Sequence, residues 1–250
     1  MQGILYLIPN SLGESDGNPS DPLSHIIPID VQAITAKLDY FIAENAKTTR
    51  AFLKTVATTH PLSRPLQEIE IAELNVNTNA TVLPVLLAPL LAGRNAGLIS
   101  EAGVPAVADP GANLVRLAHQ HNILVKPLVG PSSLLLAVMA SGLNGQSFAF
   151  NGYLPIDSAQ RIKRIKDLED RSRKEHQTQL FIETPYRNIA LLEALCATCN
   201  QNTLLCTATD LTLLSESIKT QTVKKWKSDL ATGTLPNMQK KPTVFLILAE

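Results

Sequence analysis

Residues 95–120 read NAGLISEAGVPAVADPGANLVRLAHQ and join two segments of different periodicity. The apolar run at the start predicts a buried strand, and the spacing of apolar residues at the end predicts an amphipathic helix. The connection between them contains two prolines, two glycines and two carboxylates, which is more than a simple strand-to-helix turn needs. Because glycine lets the backbone approach a ligand closely, this connection is a candidate binding loop.

Apolar runs and helical segments alternate along the rest of the chain, which predicts an α/β fold. Strands are predicted at residues 4–9, 38–44, 95–100, 123–129, 148–155, 178–184, 203–211, 216–223 and 243–249. Helices are predicted at residues 47–57, 84–92, 113–121, 159–174 and 187–199, and residues 17–22 and 233–242 have the composition of loops. A strand that ends in VGPSS (129–133) before a new helix indicates a boundary, so we expect two α/β domains, 1–128 and 129–250.

The composition is that of a globular protein. With 250 residues, 45% of them hydrophobic and 18% charged, the chain can bury the core of one large or two small domains. Its longest apolar runs, VLPVLLAPLLA and SSLLLAVMASGL, have about half the length of a membrane-spanning helix. The segment MQGILYLIPN has no basic leader and predicts a first strand rather than a signal peptide. We therefore expect a cytoplasmic protein.

The three cysteines, Cys196, Cys199 and Cys206, include one C-x-x-C pair. Such a pair indicates a zinc site only when a second pair of ligands is present, and no histidine lies nearby in the sequence. The favoured interpretation is that Leu192, Leu195, Cys196 and Cys199 share a helix face that packs into the core. We therefore expect no metal.

Charge is distributed unevenly along the chain. The formal net charge is zero, which argues against nonspecific binding of nucleic acid. Residues 1–125 carry 7 basic and 11 acidic side chains (net −4), whereas residues 126–250 carry 15 and 11 (net +4). The second half contains QRIKRIKDLEDRSRK (160–174), and KTQTVKKWK (219–227) places Trp226 among lysines. This pattern predicts either an anionic partner for the second half or a solvated helix face.

Four predicted strands end in loops with residues suited to binding. Ligands of open α/β sheets bind beyond the carboxyl ends of the strands, and the loops there are PNSLGES (9–15), AENAKTTR (43–50), SEAGVPAVADPG (100–111) and VGPSS (129–133). The chain has neither the glycine-rich dinucleotide motif nor the P-loop, and no Ser-His-Asp or HExxH pattern. Spacing alone therefore predicts a two-domain α/β protein with a small-molecule cleft.

Two of these loops also have a purely structural interpretation. Asp109-Pro110-Gly111 matches a helix cap followed by a first helical turn. Residues 130–133 match a helix start, although their amides and hydroxyls also suit a carboxylate or a phosphate.

Charged residues at two other strand ends have alternatives of the same kind. Glu44 can cap the next helix or pair with Lys47 or Arg50. Residues 183–185, Glu-Thr-Pro, give a strand end followed by a helix cap, which leaves Arg187 free to project toward the cleft.

Beyond these patterns, the residues LISEAGVPAVADPG (98–111), VRLAHQHNILVKPLVGPSSLLLAVMASGL (115–143) and FAFNGYLP (148–155) resemble a known family. They are similar to the tetrapyrrole methylase superfamily of S-adenosylmethionine-dependent methyltransferases. Within it they resemble the branch that methylates a cytidine ribose 2′-hydroxyl of small-subunit ribosomal RNA, whose pattern is SDAGTPxxxDPG, PLPGPSA, ASGL and FxFxGFLP. Weaker similarity extends to GILYLIPNSLGES, IAENAKTTR and FIETPYRN.

The resemblance implies two α/β domains with S-adenosylmethionine in the cleft between them, usually in a homodimer, and no metal. The cofactor-binding residues that it implies are Pro9, Gly13, Ser100, Glu101, Ala102, Gly103, Val104, Ser132, Ser133, Phe181, Glu183, Thr184, Pro242 and Thr243. Glu44 is the candidate acceptor of the hydroxyl proton, and Arg50 and Arg187 are candidates for positioning a phosphate.

Several residues depart from the family pattern. Glu101 stands where the family has Asp, and Val104 where it has Thr. The first loop reads NSLGES in place of TPIGN, AENAKTTR replaces AEDTRxT, and Asp210–Leu213 replaces an ELTK-type segment without its lysine. We therefore expect cofactor binding to be retained better than RNA specificity.

Three hypotheses for the function follow. The first is a ribose methyltransferase whose partner is ribosomal RNA or the small ribosomal subunit. The second is a methyltransferase that acts on a tetrapyrrole or another small molecule. The third is a cofactor-binding relative without catalysis.

Overall fold

The computed structural model of the chain describes residues 1–13 and 22–249. The backbone forms two compact units, Met1–Ser132 and Ser133–Glu250. The division falls after Ser132, whereas the sequence predicts a boundary after residue 128. Most of the predicted loop 17–22 lies outside the described residues, as does the end of PNSLGES, residues 14 and 15.

The first unit contains one parallel sheet covered by helices. Its strands are β1 (Ile4–Ile8), β2 (Tyr40–Ala43), β3 (Glu70–Glu73), β4 (Ala96–Ile99) and β5 (Leu124–Pro127), in the order β3-β2-β4-β1-β5. Its helices are α1 (Ile29–Ala36), α2 (Ala46–Val56), α3 (Leu83–Leu91) and α4 (Ala112–Gln120). Every pair of neighbouring strands is parallel, so all strand carboxyl ends lie at one edge.

The connections of this sheet leave β1 and β4 in opposite directions. The chain passes from β1 through α1 to β2, and from β4 through α4 to β5 on the other side. Helices α1 and α2 pack on one face, where Phe52 contacts the core that contains Phe41, and α3 and α4 pack on the other face against Ile42. Because β1 and β4 are neighbours, their carboxyl ends form the topological switch point at which open α/β sheets bind ligands.

The second unit contains a mixed sheet. Its strands are β6 (Phe148–Tyr153), β7 (Thr178–Ile182), β8 (Leu204–Thr209), β9 (Ser217–Thr222) and β10 (Thr243–Leu248), in the order β6-β7-β10-β8-β9. Only β6 and β7 are parallel among its neighbouring strands. Its helices are α5 (Ser133–Ser141), α6 (Ser158–Glu175), α7 (Asn188–Thr198) and α8 (Val223–Thr232). Among the described helices, none combines the length and the hydropathy needed to cross a membrane.

The prediction of an α/β fold is confirmed, and each predicted strand and helix is present with small shifts of its ends. The structure adds α1, β3 and α8, which the sequence patterns did not predict. Strand β3 is a short edge strand without a fully buried side chain, so its alternation is weak. Helix α8 begins at Val223 directly after β9, and Thr222 caps it without an intervening glycine or proline.

The three cysteines lie in the core of the second unit. All are buried and unoxidised, and Cys196 and Cys199 pack with Leu192 and Leu195. Burial raises the pKa of the Cys196 thiol to about 11, which keeps it protonated at neutral pH. The interpretation of this helix face as a core face is confirmed.

Trp226 is also a core residue. Its side chain is fully buried, and the indole Nε1–H donates to the carbonyl oxygen of Leu205 at 2.8 Å. The sequence left two interpretations of KTQTVKKWK, an anionic partner or a solvated helix face. Helix α8 turns Trp226 inward and exposes Lys224 and Lys225 together with Ser228, Ala231 and Thr232, so the indole ring is not available to a partner.

We expect Trp226→Ala to lower the free energy of unfolding by about 3–5 kcal/mol, because it leaves a cavity in the core. Trp226→Phe retains a ring but removes the hydrogen bond from the indole N–H to the Leu205 carbonyl, at a cost of about 0.5–1.5 kcal/mol. Urea unfolding measures both losses. Lys224→Ala, at an exposed position of the same helix, is the control and should change stability by less than about 0.5 kcal/mol. Equal losses for Trp226→Ala and Lys224→Ala would contradict the core placement.

Candidate functional site

The loops after β1 and β4 are joined by backbone pairing. The N–H of Asn10 donates to the carbonyl of Gly103 at 2.8 Å, and the N–H of Gly103 donates back to the carbonyl of Asn10 at 3.2 Å. The two central strands therefore stay connected beyond their last residues, Ile8 and Ile99. This pairing fixes the backbone at the switch point of the first sheet.

The side chain of Asn10 strengthens the same connection. It is 5% exposed, and its Nδ2 donates to the carbonyls of Ser100 at 3.2 Å and Glu101 at 2.9 Å. Its Oδ1 accepts the N–H of Ser11 at 2.8 Å. A buried amide left without these partners would cost about 1–3 kcal/mol, so Asn10 holds the loop after β4 in one conformation.

Glu44 follows β2 and contacts the same loop. Its N–H donates to the carbonyl of Ile99 at 3.1 Å, and its Oε2 accepts the N–H of Glu101 at 3.1 Å. Asn45, rather than Glu44, caps α2. Within the described residues no ion pair joins Glu44 to Lys47 or Arg50, so the capping and pairing alternatives for Glu44 are wrong.

The segment between β4 and α4 is strained. Gly103, Ala106, Ala108 and Gly111 have φ values of 68°, 66°, 66° and 132°, and alanine rarely adopts the left-handed region. Such strain persists only where surrounding contacts impose it, and it clusters at binding sites. Because these turns continue to Gly111, helix α4 begins only at Ala112 and has no side-chain cap. The interpretation of Asp109 as the helix cap is therefore wrong.

Asp109 instead belongs to a group of carboxylates at the switch point. Burial raises its pKa to about 6, and the charges of Glu44 and Glu101 add to the rise. The hydroxyl of Ser100 partly offsets this rise, yet its Oγ is buried and makes no hydrogen bond of good geometry within the described residues. The carboxyl ends of β2 and β4 therefore form an electronegative region that contains an unsatisfied hydroxyl.

Gly130 lets the loop after β5 approach the loop after β1. A Cβ atom on Gly130 would lie 2.2 Å from the Cβ of Pro9, which is far inside van der Waals contact. No larger residue fits there without moving one of the loops. Ser132 ends the first unit, and Ser133 begins α5 in the second.

A cavity of about 500 Å³ opens beside these loops. Ser11, Gly13, Thr48, Glu101 and Ala102 are among the residues that line it. A second cavity, of about 430 Å³, lies on the side of Asp109 and includes the start of α4.

The structure thus places one group of predicted residues together at the carboxyl edge of the first sheet. This group consists of Pro9, Gly13, Glu44, Ser100, Glu101, Ala102, Gly103 and Val104. Arg50 is exposed on α2 and does not line either cavity. The roles of this group and of Arg50 in binding stay predictions.

The other group of predicted residues lies at one edge of the second sheet. Glu183 follows β7 and is buried, and its Oε1 accepts hydrogen bonds from Arg187 NH2 at 2.6 Å and from the N–H of Thr184 at 2.6 Å. The expectation that Arg187 is free to project from this edge is wrong, because its guanidinium is paired with Glu183. Thr184 precedes the short turn Pro185–Arg187 and makes no side-chain cap bond.

Two other residues of this group have structural contacts. Phe181 is fully buried and stacks on Phe245 with 6.2 Å between ring centroids, so its side chain is not available to a cofactor. Thr243 begins β10 directly after Pro242, and its hydroxyl accepts from Asn188 Nδ2 at 3.2 Å. Asn188 was not predicted to be a site residue, although it is the last residue of the segment FIETPYRN.

The segment that replaces ELTK begins at Asp210, after β8. Lys241 Nζ lies 2.6 Å from the Asp210 carboxylate, and Ser215 Oγ donates to the same oxygen at 2.7 Å. Thr212 has a φ of 73° and a buried hydroxyl without a partner in the described part of the chain. Lys241 therefore lies beside the segment Asp210–Leu213, which lacks the lysine of the ELTK pattern.

Sequence reasoning missed the roles of Asn10, Asp109 and Gly130. Asn10 and Gly130 lie in loops that the strand-end rule selected, but their roles depend on contacts with distant residues. The signal for Asp109 was its position after three small or apolar residues, which pointed to burial as well as to a cap. A single sequence does not distinguish these alternatives.

Comparison with known sequences places the chain among one group of proteins. It is 35% identical over 153 residues to the ribosomal RNA small subunit methyltransferase I of Mesorhizobium japonicum (61% of this chain, 51% of the relative). It is 30% identical over 217 residues to that of Escherichia coli O157:H7 (87% and 68%), and 30% over 231 residues to that of Synechocystis sp. (92% and 72%). The chain thus spans about half of the first of these relatives and 72% of the last. No family model matches the chain.

Solved structures share the fold. The methyltransferase CobJ matches 99% of this chain and 94% of its own with a TM-score of 0.61 and 16% identity. The cobalt precorrin-4 methyltransferase CbiF matches 98% and 94% with a TM-score of 0.56 and 14% identity. At these identities the likeness shows the fold alone, and it confirms the predicted fold class.

We expect Gly130→Ala to weaken binding of S-adenosylmethionine at least tenfold, because the added Cβ separates the loops after β1 and β5. Overpacking at this contact should also lower the free energy of unfolding by about 1–3 kcal/mol. Isothermal calorimetry and urea unfolding measure the two effects. Gly145→Ala is the control, since a Cβ there meets only Val138 at 3.6 Å. Unchanged affinity in Gly130→Ala would show that the loop contact is not needed for binding.

The raised pKa of Asp109 predicts that the free energy of unfolding depends on pH. Its folded-state pKa of about 6 exceeds its unfolded value of about 3.9, so the folded state binds more protons between these values and stability falls as pH rises through this range. Asp109→Asn removes the charge. We expect its melting temperature to exceed that of the wild type at pH 7 and to equal it below about pH 4.

Thermal unfolding at both pH values tests this expectation. Asp167→Asn, at an exposed position of α6, is the control and should show no gain at pH 7. A difference between Asp109→Asn and the wild type that is the same at both pH values would contradict a raised pKa.

Proposed function

The chain belongs to the ribosomal RNA small subunit methyltransferase I family of S-adenosylmethionine-dependent methyltransferases, and we propose that it methylates a ribose 2′-hydroxyl of small-subunit ribosomal RNA. One observation supports this function above the others. The loop at residues 100–104, which lies in a segment that strongly resembles the family, pairs with the loop at residues 9–13 through Gly103 and Asn10 at the switch point of the first sheet. A switch point is where a ligand of such a sheet binds.

The residues at this edge fit S-adenosylmethionine. Gly130 lets its loop lie directly against Pro9, where a Cβ atom would clash, and Gly103 has a φ of 68°. The hydroxyl of Ser100 is buried and makes no hydrogen bond of good geometry in the described chain. The carboxylates of Glu44, Glu101 and Asp109 suit the positive sulfonium of the cofactor. Pro9, Gly13, Ala102 and Val104 complete the set proposed for this unit.

When bound, the cofactor supplies an electrophilic methyl group on its sulfonium. Transfer requires in-line approach of the acceptor oxygen, so alignment and exclusion of water are the main tasks of the protein. As the oxygen–carbon bond forms and the sulfur–carbon bond breaks, the hydroxyl proton must leave. We propose that Glu44 accepts it: Oε2 is held by the N–H of Glu101, and Oε1 has no hydrogen-bond partner within the described residues.

Two arginines are proposed to contact RNA phosphate. Arg50 is exposed on the helix that follows Glu44, and a guanidinium suits phosphate oxygens. Arg187 is bound to Glu183 through Nε and NH2, which leaves NH1 as its proposed phosphate contact. Of the second unit, Ser133, Glu183, Thr184, Pro242 and Thr243 stay proposed as cofactor-binding residues, and so does the main chain of Phe181.

Assembly and location are also proposals. The resemblance implies a homodimer, and α5 exposes Leu135 and Met139 one helical turn apart, which is apolar surface that a second copy could cover. A substrate in the small ribosomal subunit places the protein in the cytoplasm. A tetrapyrrole or other small molecule as acceptor is not favoured, because the relatives at 30% identity or more are named for ribosomal RNA.

Transfer of a labelled methyl group tests the proposed function. Purified protein with the labelled donor is incubated either with undermethylated small ribosomal subunits or with a metabolite extract. We expect label in the RNA, at a nucleotide that becomes resistant to alkaline cleavage because its 2′-oxygen is blocked. Label in a small molecule would establish the alternative acceptor, and binding of donor without transfer would indicate a relative without catalysis.

Glu44→Gln should lower the turnover number by about 10²–10⁴-fold, because the amide cannot accept the hydroxyl proton. Its carbonyl can still accept the N–H of Glu101, so affinity for S-adenosylmethionine should stay within about threefold of the wild type. Single-turnover transfer and calorimetry measure the two effects. Lys47→Gln, at an exposed position of α2 three residues after Glu44, should change neither. Unchanged turnover in Glu44→Gln would remove Glu44 from this role.

A further inference from the structure

Helix α6 carries an uneven distribution of charge. Its first nine residues, 158–166, contain four cations and no acid: Arg161, Lys163, Arg164 and Lys166. Two pairs of these cations, Arg161 with Arg164 and Lys163 with Lys166, are three residues apart. Each such like-charge pair destabilises a helix by about 0.2–0.5 kcal/mol. Helix stability alone does not account for this arrangement.

The second half of α6 is built differently. Arg171 pairs with Glu175 at 3.2 Å, and Arg173 pairs with Asp170 at 3.1 Å. Both cations are therefore neutralised by acids of the same helix.

The cations of the first half bind no acid among the described residues. Arg161 NH1 donates to the carbonyl of Ile156 at 3.0 Å, and Arg164 NH2 donates to Asn151 Oδ1 at 3.0 Å. These contacts orient the arginines but leave their charge uncompensated. Lys163 and Lys166 are exposed and belong to no ion pair in the described part of the chain.

The opposite face of α6 is anchored in the second unit. Ile165 and Leu168 are fully buried, Glu169 accepts the N–H of Asn200 at 2.7 Å, and Ser172 Oγ accepts the N–H of Ala249 at 2.9 Å. The cations therefore stand on a rigid helix. Because the helix backbone is already fixed, little conformational entropy of the protein is lost when a partner binds these cations.

We propose that the first half of α6, residues 158–166, binds the phosphate backbone of the ribosomal RNA substrate. This inference rests on the proposed function and names a contact for it. Lysines supply mobile point charges and the oriented arginines supply planar donors, and both suit phosphate oxygens. Tyr153 and Ile156 precede α6 in the chain and are exposed. Aromatic residues among cations are typical of surfaces that bind unpaired nucleotides.

The favoured partner is RNA, because the cations of this half-helix form a local group. Residues 133–250 carry 14 basic and 11 acidic side chains (net +3), and four of the basic residues lie between positions 161 and 166. A local stripe of cations matches the spaced charges of a nucleic-acid backbone.

Two double variants test the surface. Lys163→Gln/Lys166→Gln and Arg171→Gln/Arg173→Gln each remove two positive charges from α6, but only the two arginines form ion pairs with acids of the same helix. Binding to undermethylated small subunits is measured for both variants and the wild type between about 50 and 200 mM salt. Each lost phosphate contact lowers the slope of log affinity against log salt by about 0.7–0.9. We expect a reduction of about 1.5 in the lysine variant and none in the arginine variant.

Melting temperature and cofactor affinity should match the wild type in both variants, which excludes misfolding. Equal slopes for all three proteins would overturn the proposal. An equal reduction in both variants would also overturn it, because it would show a response to net charge alone.

Subunit binding and label uptake, measured with the same protein and subunits, distinguish failure of the α6 surface from failure of the proposed function. Label uptake by the subunits with an unchanged slope overturns the α6 surface alone. A lowered slope in the lysine variant without uptake in the wild type supports the RNA surface and overturns the methyl acceptor. No binding of the wild type to the subunits overturns both.

Discussion

The side-chain amide of Asn10 donates to the carbonyls of Ser100 and Glu101, while its backbone pairs with Gly103. The two side-chain bonds are buried or partly buried, and a buried amide left without partners would cost about 1–3 kcal/mol. They hold the loops after β1 and β4 together at the one place where the connections of the sheet diverge. A ligand at this place meets backbone whose position is fixed before it arrives, and fixed donors bind with little loss of entropy.

This frame explains why unfavourable features are tolerated around it. Ala106 and Ala108 occupy backbone conformations that alanine avoids, and Asp109 is held near other carboxylates at a cost seen in its raised pKa. Neither feature would persist in a loop free to relax. The packed helices on both faces of the sheet supply the stability that keeps them in place. Carboxylates that a fixed backbone holds close together at this edge would favour a cationic ligand.

Periodicity in the sequence was sufficient for the fold class and for most elements, because buried strands and amphipathic helices leave strong patterns. It failed where the pattern was weak, as in the edge strand β3, or where two elements join without a turn, as in β9 and α8. The strand-end rule selected loops that the structure brings together at one edge of the first sheet, but it did not give the contacts within them. Asp109 and Arg187 had local interpretations, as a cap and as a free cation, whereas burial raises the pKa of Asp109 and Arg187 is paired with Glu183. Such contacts depend on tertiary structure that no local pattern contains.

The zero net charge of the chain conceals two opposite local charges. Carboxylates gather at the carboxyl edge of the first sheet, and uncompensated cations gather on the first half of α6. The segment KTQTVKKWK also contains a group of cations, but Asp229 pairs with Lys219 of β9 and with Lys225 of α8. A count of charges therefore cannot identify a binding surface. A better indication of an external anion is a group of neighbouring cations that have no acidic partner within the protein. In the described chain the first half of α6 contains such a group, which consists of Arg161, Lys163, Arg164 and Lys166.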